Sequence, residues 1–103
     1  MNWALERSHE ARTDLIDIWS YIAADNPDAA DRQIDKIEAI FNRLREYPKL
    51  GAKRDDINAG LRGFTRNHYL ILYQLDEFRE SVQIIRVVHG MRDLATLFGD
   101  TAQ

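Results

Sequence analysis

Cysteine is absent from the 103 residues, which rules out disulfide staples and thiolate metal sites and suits a reducing compartment. Long apolar runs are missing as well. Nowhere do about 18 uncharged apolar residues stand together, and the opening MNWALERSHEARTD has no run of signal-peptide length, so the expectation is a soluble, unprocessed, cytoplasmic protein without a membrane span. His9, His68 and His89 share no metal-ligand spacing, and HExxH, GxGxxG, P-loop and GxSxG motifs do not occur. Ser8, Ser20 and Ser81 have no histidine in a triad-like arrangement. No metal, no cofactor and no classical catalytic centre is therefore expected.

What is present suits one domain over residues 1–103, because 45% apolar content is enough for a single core. The formal charge of −3 argues against a protein that coats nucleic acid through its overall field. Charge is uneven along the chain: residues 1–48 carry 6 Lys/Arg against 10 Asp/Glu, and residues 49–103 carry 8 against 7. Such a split fits either two faces for different partners or ordinary solvated surface.

Residues 61–93 contain three apolar runs separated by two polar breaks, the pattern of a meandering antiparallel sheet. Strands are predicted at Leu61–Arg66, Tyr69–Leu75 and Ser81–Val88, with a tight turn at Arg66-Asn67-His68 in which Asn67 takes positive φ. Tyr69–Leu75 is apolar on both sides and reads as central. The last strand alternates Val82, Ile84, Arg86 and Val88 against Gln83, Ile85, Val87 and His89. Ahead of this sheet, residues 2–7 alternate as a short strand, and Ser8 caps a helix whose stripe is Ala11, Leu15, Ile18 and Ile22. Asn26 and Pro27 start a second helix with the stripe Ala30, Ile34, Ile37, Phe41 and Leu44, stopped by Pro48. The short connection makes the two helices an antiparallel hairpin. Lys49 to Gly60 reads as loop, and Asp93, Leu94, Leu97 and Phe98 as a short terminal helix or turn. The fold class is α+β: an N-terminal strand, a helical hairpin packed on a small antiparallel sheet, and a short C-terminal helix.

Two groups of residues stand out as surfaces. Ile16, Trp19 and Ala23 form an apolar shoulder beside the first core stripe, and Ile40 and Tyr47 widen the second, so these five are candidates for a protein partner or for the rim of the core. The second half supplies Arg62, Arg66, His68, Arg86, His89 and Arg92. Arg86 interrupts an apolar strand, so its guanidinium needs either an internal carboxylate from the helices or an external phosphate or substrate.

The segments DLIDIWSYIA (14–23), NPDAADR (26–32), LREYPKLG (44–51), GLRGF (60–64), YLILYQ (69–74) and IIRVVHGMRDL (84–94) together resemble ParE-type toxins of the ParE/RelE superfamily, from bacterial toxin-antitoxin (plasmid stabilisation) systems. The resemblance covers nearly the whole chain in order. It implies a RelE-like fold and a non-catalytic poison of DNA gyrase, silenced by a cognate ParD-like antitoxin in a hetero-oligomer. It also implies contact with DNA only indirectly, through that antitoxin. On this reading Ile16, Trp19, Ala23, Ile40 and Tyr47 receive the antitoxin, and Arg62, Arg86, His89, Arg92, Leu94, Leu97 and Phe98 form the target-facing surface. The alternatives are a ribosome-dependent mRNA endonuclease of the RelE branch, with His68 or His89 as acid or base, and an inactive relative that only binds its antitoxin. Against the endonuclease stand the acidic balance and the tail of Met91, Leu94, Leu97 and Phe98, where that branch carries basic and acid/base residues.

Overall fold

The computed structural model describes residues 2–90. The predicted terminal helix and Arg92 lie outside them. Chain order is β1 (Ala4–Arg7), α1 (His9–Ala23), α2 (Pro27–Glu46), β2 (Ala52–Lys53), β3 (Arg62–Arg66), β4 (Tyr69–Asp76) and β5 (Ser81–His89). The strands form one sheet in the order β1-β5-β4-β3-β2. Only the β1–β5 pair is parallel, so the sheet is mixed rather than wholly antiparallel.

Local chemistry explains the helix boundaries. The Ser8 hydroxyl accepts from Ala11 N–H at 2.9 Å, and Asn26 Oδ1 accepts from Ala29 N–H at 3.1 Å with Pro27 opening the helix. Each cap satisfies an amide that the first turn leaves without a helical partner. Ala11, Leu15 and Ile18 of α1, with Ile37, Ile40, Phe41 and Leu44 of α2, then bury against Tyr69, Ile71, Tyr73, Val82, Ile84 and Val87 of the sheet. Arg7 braces this layer, forking onto the Glu38 carboxylate with its charge above the Phe41 ring.

β4 is central and buried on both faces, as its two-sided apolar pattern predicts. Leu70 and Leu72 join Leu61 and Val88 in a second cluster on the sheet face away from the helices. The turn to β4 carries positive φ at both Asn67 (53°) and His68 (72°), the geometry that matches the twist of a two-residue hairpin.

Two features depart from the sequence pattern. Ala52–Lys53 forms a short edge strand within the predicted loop, opposite Arg62 and Gly63. Two residues are too few to show alternation. More consequentially, Tyr73 pairs with Ile84 whereas Leu72 pairs with Arg86, so Ile85 is an extra, bulged residue. A bulge shifts side-chain parity by one. Val87, predicted on the face opposite Ile84, therefore joins Val82 and Ile84 under the helices, while Val88 packs in the second cluster.

The bulge lies where β1 stops covering β5. Beyond Ile84 the free edge is taken over by the start of α1: Ser8 N–H donates to Ile84 O at 2.9 Å, Ser8 Oγ donates to Ile85 O at 2.6 Å, and Val87 N–H donates to the Asp14 carboxylate at 2.9 Å. The Ser8 amide and the Ser8 and Asp14 side chains thus supply partners that a longer β1 would otherwise supply.

Candidate functional site

α1 turns one face to the sheet and leaves a second apolar face in solvent. On that outer face Ile16 is 64% and Trp19 40% exposed and Ala23 is half-buried, whereas exposed Tyr21 lies on the opposite flank of the helix. Trp19 is held in place, its indole N–H donating to Asp31 of α2 at 2.8 Å. A large aromatic that is both accessible and fixed loses little freedom when a partner covers it.

The other two predicted shoulder residues belong elsewhere. Ile40 is only 6% exposed and sits in the core, because the side of α2 that looked surplus on a helical wheel faces the sheet. Tyr47 is 54% exposed, but it lies about 24 Å along α2 from Asp31 at 1.5 Å per residue. There it stands beneath Arg43, whose guanidinium is 5.2 Å from the ring centroid. With Trp3, Pro48 and Leu50 it lines a separate cavity of about 540 Å³ at the far end of the helix.

The predicted cationic surface also divides. Arg62 faces the helix side, opposite Tyr73, and its Nη1 donates to Gly51 O at 2.8 Å beside a cleft that Lys49 and Lys53 also line. Arg86 stands opposite Leu72, toward the other face. Its Nε and Nη2 donate to Asp14 at 2.8 and 3.0 Å. Arg86 is therefore an internal strut rather than a target-facing cation, since the carboxylate of Asp14 already compensates its charge. His89 is half-buried, edge-on to Tyr69 at 5.5 Å and stacked with His68 at 6.2 Å. Arg66 stands across from Tyr69, as does His89, so these residues share one end of the sheet. Arg92, Leu94, Leu97 and Phe98 fall outside the described residues.

Asp14 is the group that sequence reasoning missed. It accepts three hydrogen bonds from β5, and the available signal was a carboxylate one residue before core Leu15 on the helix facing the strand arginine. Tyr73 is a second. Its fully buried hydroxyl donates to Pro48 O and accepts from Gly51 N–H, each at 2.8 Å. Burial pushes its pKa up, partly offset by the Gly51 amide and the charge of Arg62. A Cβ on Gly51 would lie 2.7 Å from this ring, so the contact requires glycine. Among the described residues no three His, Asp or Glu side chains gather as a metal site, and no helix is long and apolar enough to cross a membrane.

Residues 5–94 match the sequence model of the ParE toxin of type II toxin-antitoxin systems, parDE. Toxin ParE3 of Caulobacter vibrioides is 39% identical over 70 residues, 68% of each chain. Toxin ParE1 of the same organism is 27% identical over 85 residues, 80% of this chain and 83% of that one. Among solved structures, a chromosomal ParDE system from P. aeruginosa superposes with a TM-score of 0.71 at 21% identity, over 84% of this chain and 95% of the other. The toxin-antitoxin complex RelBE2 from Mycobacterium tuberculosis superposes with a TM-score of 0.61 at 25% identity, over 86% and 99%. With helices, sheet and sequence in agreement, the chain belongs to the ParE toxin family of type II toxin-antitoxin systems.

Proposed function

We propose that the protein is a non-catalytic toxin acting in the bacterial cytoplasm, where it poisons DNA gyrase by stabilising its cleaved DNA complex until a cognate ParD-like antitoxin covers it. The observation that carries the antitoxin half is the outer face of α1, with Ile16 and Trp19 accessible and Trp19 fixed to Asp31. An amphipathic helix laid on this face buries apolar area at about 25 cal/mol per Å². DNA is reached only through the antitoxin.

The choice of a poison over an mRNA endonuclease rests on the arginines. Phosphodiester cleavage needs cations converging on one developing charge, whereas Arg62 and Arg86 point to opposite faces and Arg86 is neutralised by Asp14. Target contact is left to the sheet end bearing His89 and to the segment that follows it.

The test uses negatively supercoiled plasmid, gyrase and ATP, quenched with detergent and protease. Linear DNA that accumulates with the chain and disappears with antitoxin is the expected result. Its absence, together with ribosome-dependent mRNA cleavage, would replace this reading with the endonuclease.

A further inference from the structure

We infer that the chain pairs with a second copy of itself about a two-fold axis, each copy inserting Phe78 into the apolar pocket at the far end of α2 in the other. The pairing requires neither antitoxin nor target, and it lies away from the outer face of α1.

Phe78 is the most exposed large apolar side chain of the described residues, at 97%. It stands at the tip of the turn from β4 to β5 and belongs to neither apolar cluster. Folding gains nothing from a phenyl ring left in water. The tip is nonetheless fixed. Asp76 Oδ1 accepts from Arg79 N–H at 3.1 Å, Glu80 closes the turn with a φ of 49°, and Asp76 pairs with Ser81 at the head of the ladder. An aromatic carried on a fixed turn between two interior strands loses little freedom when it is inserted elsewhere.

A pocket of matching chemistry lies beside it. Trp3, Tyr47, Pro48 and Leu50 line the cavity of about 540 Å³ already described. An apolar cavity of about 150 Å³ can hold a benzene ring, so a phenyl group fits with room for its neighbours. Two contacts tie the projection to the pocket within one copy. Ala4 N–H, next to Trp3, donates to Glu80 O at 2.9 Å, and Lys49 Nζ lies 3.6 Å from Glu77. Ring and pocket therefore share one end of the molecule, and a two-fold axis between them seats both rings at once. A closed pair of identical subunits requires such a self-complementary surface.

Charge and area favour a copy of the chain as the occupant. The turn Asp76-Glu77-Phe78-Arg79-Glu80 carries three carboxylates to one cation, whereas Arg43 and Lys49 outnumber Glu46 at the pocket rim. An acidic turn thus meets a basic rim. The ion pairs that Lys49 and Arg79 make within one copy, at 3.6 and 3.7 Å to Glu77 and Glu6, are exposed, so they can be exchanged across the axis at little cost. Phe78, Tyr47, Leu50 and half-buried Trp3 offer roughly 400 Å² of apolar surface per copy. With the charged rim added, the pair reaches about 1,000–1,200 Å², the low end of specific interfaces. Reversible pairing in the micromolar range is expected rather than a permanent dimer.

The experiment follows the full chain by sedimentation velocity from about 1 to 300 μM. Beside it run F78S, which removes the ring from the exposed tip, and L50E, which places a charge in the pocket. A mass that moves from one chain to two with concentration, and no further, is expected. Each variant alone should pair at least tenfold more weakly. An equimolar mixture of the two folded variants should pair more tightly than either alone, because one keeps the pocket and the other keeps the ring. Phe78 touches neither cluster, so lost pairing in F78S is not lost folding, which an unchanged melting temperature checks. A wild type that stays a single chain throughout, or F78S pairing like wild type, would overturn the inference. So would a mixture no tighter than its components, which would mean that the rings meet each other rather than the pockets. Growth beyond two chains would overturn the closed pair. A single-chain wild type whose antitoxin affinity falls in F78S would give this face to the antitoxin and equally overturn it.

Discussion

At the scale of single residues, the most informative positions are those that join segments distant in sequence. Asp14 joins α1 to β5 through the Arg86 guanidinium and the Val87 amide, and its side chain is only 12% exposed. Asp14→Ala is expected to cost about 2–3 kcal/mol in urea unfolding, because it strips the carboxylate from a half-buried arginine and an acceptor from a strand amide. Tyr73 offers a cleaner titration. Its hydroxyl serves Pro48 O and Gly51 N–H at once, so Tyr73→Phe should cost about 1–3 kcal/mol. The Tyr73 pKa in the folded chain lies above the ordinary value of 10.0. Its contribution is therefore fully present below that value and lost as pH rises toward and through the raised one. Unfolding midpoints recorded from neutral to strongly alkaline pH should show this loss in the wild type and a smaller one in Tyr73→Phe.

At the scale of elements, α1 and α2 were legible because their signals are local. Ser8 and the Asn26-Pro27 pair are caps whose chemistry needs only the first turn that follows. The bulge at Ile85 was not legible, since it is settled by bonds to Ser8 and Asp14, more than seventy residues away in the chain. A helical wheel also discards position along the axis, which is why Tyr47 looked like a neighbour of Trp19. It likewise cannot tell a solvent shoulder from one that a sheet will cover, and Ile40 is the result. The outer face of α1 and the sheet-facing side of α2 can be separated by experiment. Trp19→Ala should weaken antitoxin binding about tenfold or more, as expected for an aromatic anchor, while leaving a cooperative melt. Ile40→Ala should destabilise the free chain by about 2–4 kcal/mol through the cavity it leaves. Unchanged antitoxin affinity in Trp19→Ala would remove the outer face of α1 from the interface.

At the scale of the whole molecule, the helical hairpin protects one half of the sheet and leaves the other half accessible. Apart from Tyr21 on the other flank of α1 and Phe78 between β4 and β5, the exposed large apolar side chains of the described residues form two groups, Ile16 and Trp19 on α1 and Tyr47 and Leu50 at and beyond the end of α2, so an antitoxin can occupy one without covering the other. The end of the sheet carrying Arg66, His68 and His89 is separate again, and it is where the chain continues past Gly90. Ending the protein at Gly90 should abolish toxicity in cells while antitoxin binding through α1 persists. Toxicity retained by the shortened chain would move the target-facing surface elsewhere.

The extra residue in β5 also bears on how the sequence can change length. Ile84 and Ile85 are identical, so losing either codon yields the same chain, in which the surviving isoleucine faces the helices and Val87 and His89 keep their sides. The strand thus holds one residue in reserve against deletion. Descendants that spend it should keep the core under the helices, and lose the carbonyl on which the Ser8 hydroxyl rests together with the Ile85 side chain packed against the second cluster.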